Sequence, residues 1–315
     1  MSKIGIGRAI GKIILMGEHS VVHGEPAIAI PFPGARIKSQ VLKTKGQVNL
    51  DCFSYHGPFK DIPERFEGLK KVIEKTVEEL GEELKDFNIH IESTIPPQRG
   101  MGSSAAVSAA TVRGLYDFFR KELSQERLTE LVNFSETIVH GNPSGIDTAI
   151  VVGEKPLYYI KDEPLEEFDF KLDAYLIVAD TGQEGETKFA VSKVKEYIDN
   201  NGKKGKEIIE RLGTLVRDSR KNIEDGQVEE LGQNMYQAQE DLDTLGVSND
   251  RIDKLVESSK ENGALGSKLT GGGLGGAVIS LCKDETSTEK VSKALLGNGA
   301  ENTWIYFMGD EKDES

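Results

Sequence analysis

Apolar residues recur along this chain at two spacings, and the switch between them marks out most of its elements. Lys12 to Leu15 opens as a strand that ends in the turn-like Gly17-Glu18-His19. From Ala27 to Ile37, apolar positions interrupted by Pro31, Pro33 and Gly34 predict broken strands, because proline removes a ladder donor. Phe66, Leu69, Ile73, Val77 and Leu80 fall at helical spacing with charges between them. Phe87, Ile89 and Ile91 alternate with Asn88, His90 and Glu92, the pattern of a half-buried strand. A Gly-rich turn at Gly100–Gly102 leads into an Ala-rich helix reaching about Phe119. Leu128, Leu131, Val132, Ser135 and Val139 mark another helix, which breaks at Gly141-Asn142-Pro143.

The acidic, Pro-containing stretch from Lys161 to Phe170 separates a second run of elements. It begins with a strand at Ala174–Ala179. Helical patterns follow, the clearest carried by Ile208, Ile209, Leu212, Leu215, Val216 and Ile223. Strands are predicted at Ala264–Leu269 and Ala277–Cys282, on either side of a glycine cluster, and at Thr303–Met308. The polar tail 310–315 is expected to fray. Mixed helices and strands in two halves predict an α+β class, with domains at 1–168 and 169–315. A length of 315 residues suits two such domains.

Charge narrows the partners. The chain carries 39 Lys+Arg against 53 Asp+Glu, a net −14, and such a surface repels nucleic-acid phosphates and anionic lipid. Neither nucleic acid nor a membrane is therefore an expected partner. An anionic ligand would have to be drawn by backbone amides, helix ends, a few placed cations or a metal. The apolar runs Ile13–Met16 and Ala277–Cys282 are far short of a membrane span. No basic segment leads into an apolar stretch at the N-terminus, and Cys52 and Cys282 match no metal spacing. Reduced thiols in a cytoplasmic protein are the expectation.

Three segments could carry chemistry. Pro96-Pro97-Gln98-Arg99-Gly100-Met101-Gly102-Ser103-Ser104-Ala105 reads either as a Gly/Pro turn before a serine-capped helix or as an anion site built from loop amides and a helix N-terminus. It is not a Walker A loop, because no Gly-Lys-Ser/Thr follows the glycines. Lys268-Leu269-Thr270-Gly271-Gly272-Gly273-Leu274-Gly275-Gly276 is followed by a strand rather than a helix, which excludes the dinucleotide fingerprint. Five glycines in six positions cost backbone entropy on ordering, so close approach of a ligand or another backbone explains them more economically than a bare hairpin. In the third segment, Glu136 borders the apolar stripe of its helix, where a cation would offset the cost of a buried charge, and Asp147 follows the turn Gly141-Asn142-Pro143-Ser144-Gly145. The bland alternatives are a surface-edge Glu and a turn Asp. His19 and His23 stand four apart, a zinc spacing on a helix, but no third ligand supports it; polar substrate contacts are the other reading.

Taken in order, Lys12–Gly24, Pro96–Val107 and Lys268–Ser280 resemble the three motifs of the GHMP kinase superfamily, and the correspondence spans nearly the whole chain. Gly17-Glu18-His19-Ser20-Val21-Val22-His23-Gly24 and His140-Gly141-Asn142-Pro143-Ser144-Gly145-Ile146-Asp147 resemble the members that phosphorylate mevalonate. The resemblance implies a two-domain GHMP kinase fold, with an N-terminal domain like ribosomal protein S5 domain 2 and a ferredoxin-like C-terminal domain. It implies ATP-dependent phosphorylation of the primary hydroxyl of mevalonate, a step of isoprenoid precursor biosynthesis. By motif match, Pro97, Gln98, Arg99, Gly100, Met101, Gly102, Ser103, Ser104 and Ala105 would wrap the ATP phosphates. Ser104 and Glu136 would hold Mg²⁺, and Asp147 would be the base, with Lys12 beside it. Glu18, His19, Ser144, Thr187 and Gly271, Gly272 and Gly273 would face the acceptor. Around Thr187 the sequence Gly185-Glu186-Thr187 departs from the animal members, where a basic residue precedes. Members are often dimers, so a homodimer is also implied. The alternatives are another GHMP kinase acting on phosphomevalonate or homoserine, and a nucleotide sensor without catalysis. A phosphorylated acceptor would need a further cationic cradle that the sequence does not display.

Overall fold

The structure, a computed structural model, describes residues 3–94, 99–141 and 143–309. The strand expected at Lys12–Leu15 extends beyond its apolar run, as β1 (Ile4–Met16). The broken strands expected over Ala27–Ile37 form one continuous strand instead, β2 (Ala27–Gln47). Pro31, Pro33 and Gly34 fall between two paired stretches, Ala27–Ala29 and Ile37–Lys43, so neither of these ladders needs the missing N–H groups. β3 (Asn49–Cys52), β4 (Tyr55–Pro58), α1 (Glu67–Glu79) and β5 (Lys85–Ser93) follow. Next come α2 (Ser103–Phe119), α3 (Gln125–His140) and α4 (Ile146–Gly153). Helix α4, which the sequence did not show, begins directly after Gly145 and carries Asp147 in its first turn. Its apolar residues are mostly β-branched, which conceals a helix from propensity, and packing on α2 and α3 decides the outcome.

The later elements are β6 (Leu157–Tyr159), β7 (Glu166–Glu167), β8 (Tyr175–Asp180), α5 (Thr187–Asn201) and α6 (Lys203–Glu224). They continue through α7 (Val228–Thr244), α8 (Asp250–Glu261), β9 (Gly266–Thr270), β10 (Ala277–Cys282), α9 (Glu285–Gly297) and β11 (Asn302–Phe307). The predicted strands here agree with β8, β9, β10 and β11 to within two residues. Helix α9 was not foreseen, although its capping box of Asp284 and Ser287 was visible in the sequence.

The chain forms two compact units that interleave: Met1–Lys12, Pro31–Pro97 and Gly102–Glu154 make one, and Ile13–Ile30, Gln98–Met101 and Lys155–Ser315 the other. These differ from a single division after residue 168 because Ile13–Ile30 is tied to later elements. Thr270 Oγ1, for instance, donates to Ile14 O at 2.8 Å.

In the first unit the strand order is β4-β3-β5-β2, with β3 parallel to β5 (Leu50 opposite Ile89) and the other two pairings antiparallel. Its core joins Val72, Ile73 and Val77 of α1, Phe87, Ile89 and Ile91 of β5, Leu131 and Val132 of α3, and the alanines of α2. Each fully buried aliphatic side chain contributes about 1.5–3 kcal/mol. The second unit holds an antiparallel sheet in the order β11-β8-β10-β9, packed by α7, α8 and α9. β10 is buried at every position, so both of its faces are covered.

Candidate active site

In the first unit, β1 delivers Lys12 and α4 delivers Asp147, residues 135 positions apart in sequence, as an ion pair of 3.1 Å between Nζ and Oδ1. Lys12 is almost wholly buried, while the Asp147 side chain keeps 37% of its surface exposed. The carboxylate is therefore held by a fixed cation yet open on one side. Gly102 makes room for that cation. Its φ is 67°, and a Cβ there would lie 2.8 Å from Lys12 Cγ. Gly102 is also the residue before α2, and no side chain caps this helix. Neither Ser103 nor Ser104 takes the capping role allowed for them; both stand in the first turn. Their amides, with that of Ala105, belong to the first turn, whose N–H groups have no partner within a helix, the arrangement that binds anions.

Glu136 lies on the buried stripe of α3 rather than at its flank, while Val139, expected inside, is 41% exposed. Its Oε1 is buried with no hydrogen-bond partner among the described residues, and Oε2 is 3.6 Å from His140 Nε2. Burial pushes the Glu136 carboxyl above its usual range and the nearby Asp147 adds to the rise, whereas Ser104, facing it from α2, opposes it. A buried carboxylate with an idle oxygen, a second carboxylate and a hydroxyl around it is a set that a hard divalent cation would satisfy. Ser144 belongs to this unit as well, exposed in the turn, where its Oγ accepts from Ile146 N at 3.4 Å.

The second unit gathers a different set. The glycine cluster joins β9 to β10 as a hairpin, and neighbouring segments press against it. A Cβ on Gly272 would sit 2.5 Å from Thr187 Oγ1, and one on Gly275 would collide with the Glu184 carbonyl. Gly100 and Gly271 also meet: a Cβ on Gly271 would lie 3.3 Å from Gly100 Cα. The backbone approach inferred from the glycine count is thus present, and it recurs at Gly273, where a Cβ would lie 2.3 Å from Val247 O. Gly272 O accepts a hydrogen bond of 2.9 Å from His19 Nε2, so Nε2 carries the proton and Nδ1 is a bare acceptor. Nδ1 is buried with no partner among the described residues. Burial lowers the His19 pKa to about 4, so the ring is neutral at physiological pH. His23 is exposed in a short 3-10 turn.

The chain was compared with known proteins. Its residues 68–154 match the model for the GHMP kinases N terminal domain, and residues 219–301 that for the GHMP kinases C terminal domain. It is 33% identical to the mevalonate kinase of Aeropyrum pernix, over 96% of this chain and 98% of that one. The chain belongs to the mevalonate kinases of the GHMP kinase family. A second relative, the mevalonate kinase of Pyrococcus horikoshii, is 32% identical over 89% of each chain. The solved mevalonate kinase of methicillin-resistant Staphylococcus aureus is 34% identical, with a TM-score of 0.77 over 98% of this chain and all of that one. That of Methanococcus jannaschii is 25% identical, with a TM-score of 0.80 over 97% and 98%. The α+β, two-domain GHMP kinase fold expected from the motifs is the fold of this chain.

Within this GHMP kinase, the motif residues divide by unit. Lys12, Gly102, Ser103, Ser104, Ala105, Glu136, Ser144 and Asp147 fall in the first; Glu18, His19, Arg99, Gly100, Met101, Thr187 and Gly271–Gly273 fall in the second. Pro97 and Gln98, expected at the phosphates, lie outside the described residues, as does Asn142. Arg99 is 8% exposed, and its Nε donates to Asp180 Oδ1 at 2.7 Å, an interaction no motif indicated. Asp180 also accepts from Gly182 N at 2.8 Å, so the pair ties the loop to the end of β8. Glu18 turns inward to an ion pair with Lys268, and Lys268 Nζ also donates to Leu269 O at 2.7 Å. Lys268 is completely buried. Sequence reading gave Lys268 no role of its own, because a lysine inside a strand looks solvent-exposed and a buried one needs a partner that only folding supplies. Removing one member of such a pair costs about 3–5 kcal/mol. Among the described residues, no helix is long and apolar enough to cross a membrane.

Proposed function

We propose that this kinase transfers the γ-phosphoryl group of ATP to the primary hydroxyl of mevalonate, giving 5-phosphomevalonate and ADP. The observation that carries the reading is the Lys12–Asp147 pair, a partly open carboxylate held by a buried ammonium group 3.1 Å away. A binding protein has no use for a base so placed. The kinship over nearly the full length of relatives named for this activity supports mevalonate over other acceptors.

Asp147 accepts the proton of the primary hydroxyl as that oxygen bonds to the γ-phosphorus and the bond to the β–γ bridging oxygen breaks. Lys12 offsets the negative charge shared by Asp147 and the transferring group. The first-turn amides of α2, at Ser103, Ser104 and Ala105, receive phosphate oxygens at the positive end of the helix dipole. Ser104 Oγ and the idle oxygen of Glu136 would hold Mg²⁺, which when bound neutralises charge on the β- and γ-phosphates. His19, with Nδ1 unprotonated, accepts a hydrogen bond from an acceptor hydroxyl, and Thr187 and Gly271–Gly273 line the same side of the acceptor.

An acceptor panel in a coupled ADP-release assay, with purified protein, ATP and Mg²⁺, tests the reading. Mevalonate is expected to give the highest kcat/KM by a wide margin. Preferred turnover of phosphomevalonate or homoserine would reassign the acceptor, and nucleotide binding without turnover of any of them would make the protein a sensor.

A further inference from the structure

The backbone between Glu18 and Ser20 is strained. His19 sits at φ 61°, ψ −43°, and Ser20 N donates to Glu18 O at 2.7 Å, two residues back. A positive φ, a negative ψ and an i→i+2 hydrogen bond define the rare γ-turn that an L-residue adopts only at a cost. Such a conformation persists where the surroundings over-determine it, and it gathers at functional positions.

The anchors that hold the turn can be named. His19, the central residue of the turn, is tied by Nε2 to Gly272 O, and Thr270 Oγ1 fixes the strand before the turn through Ile14 O. After the turn, Arg217 pairs with Glu25. At the turn itself the anchor is the carboxylate of Glu18, held by Lys268. Lys268 is rigid in its turn, because it is fully buried in β9 and donates also to Leu269 O. Two charges have thus been taken out of water where a neutral pair of the same size would pack. Stability alone gives no reason for that choice, whereas fixing one conformation does.

We propose that Lys268 is a positioning residue for the acceptor: through Glu18 it holds the γ-turn that aims His19 Nδ1 at the acceptor hydroxyl. The proposal rests on the reading above that His19 faces the acceptor. Lys268 itself touches neither substrate nor the reacting atoms, and Glu18, grouped by motif with the acceptor contacts, acts from behind His19.

The test is the double variant Glu18→Gln/Lys268→Met, compared with Lys268→Met, His19→Asn and the parent. The single Lys268→Met variant strands a buried carboxylate and is expected to melt lower or not to fold. The double variant buries no unpaired charge and is expected to melt within a few degrees of the parent. Its KM for mevalonate should nevertheless rise about tenfold or more, a loss of about 1.4 kcal/mol in binding, while KM for ATP stays within about twofold. In ¹⁵N-histidine spectra of the protein without substrate, His19 of the parent should remain a neutral Nε2–H tautomer down to about pH 4. In the double variant it should titrate nearer the ordinary range. A double variant with parental KM for mevalonate and a parental His19 spectrum would overturn the proposal, as would a double variant that fails to fold, which would make the pair a stability element. If His19→Asn leaves KM for mevalonate unchanged while the spectra behave as expected, the turn is held as inferred and it is the acceptor reading that fails.

Discussion

At the scale of the residue, the proposed chemistry rests on two carboxylates in unlike surroundings. Asp147 is partly open and paired to Lys12; Glu136 is buried, with an idle oxygen. Asp147→Asn keeps the shape but cannot take a proton, so kcat should fall about 10²–10⁴-fold while ATP binding, read by fluorescence titration, is largely retained. Near-parental turnover would remove Asp147 from the base role. For Glu136 the sign follows from its raised pKa. The folded chain holds this proton more tightly than the unfolded chain, so the stabilisation is full below the ordinary value near 4.5 and is lost as pH rises through the raised one. In metal-free protein, Glu136→Gln should therefore flatten the fall of Tm across that pH window and at pH 7.5 melt level with the parent or up to about 4 °C higher. Calorimetry with Mg²⁺ and ADP should raise Tm of the parent more than that of the variant. A parental pH slope in the variant would mean that Glu136 is not the strained group. Its burial could not be seen on a helical wheel, which ranks positions by their apolar neighbours and sets a charge at the margin.

At the scale of the element, short glycine segments decide where side chains may go. Gly102 ends the loop, starts α2 and leaves space for Lys12, all at one φ of 67°. Gly102→Ala adds a Cβ 2.8 Å from Lys12 Cγ and a left-handed penalty of about 1–2 kcal/mol. Kinetics should show kcat down roughly 10- to 100-fold from displacement of Lys12, with Tm lower by a few degrees; unchanged kcat would show that the ammonium position is not critical. Elements with clear periodicity, such as α1, α3 and β5, were legible in the sequence because one face repeats at 3.6 or 2 residues. Helix α4 was not, since eight residues rich in Ile, Thr and Val carry no helical signature until they pack on α2 and α3. The continuity of β2 through two prolines was equally hidden, because it depends on which stretches of the strand have neighbours.

At the scale of the whole molecule, a net charge of −14 must coexist with an anionic substrate. In the proposed mechanism the attraction is local, from amides at α2 and the Lys12 ammonium group, while the long-range field of the net charge is repulsive. Salt screens the distant charges more than the near ones. KM for MgATP measured from about 20 to 150 mM NaCl should accordingly stay level or fall; a steep rise would point to a basic surface patch steering the nucleotide. Class, family and motif residues were legible in the chain itself, because glycine clusters, a carboxylate after a tight turn and apolar periodicity are local properties. The place of Lys12 beside Asp147 was implied by the motifs and is present in the fold, whereas the burial of Glu136, the Arg99–Asp180 pair and the Lys268–Glu18 pair came to light only with folding. The two ion pairs join charges distant in sequence. Burial in a low-dielectric interior gives such a pairing its energy, and burial exists only once the chain has folded.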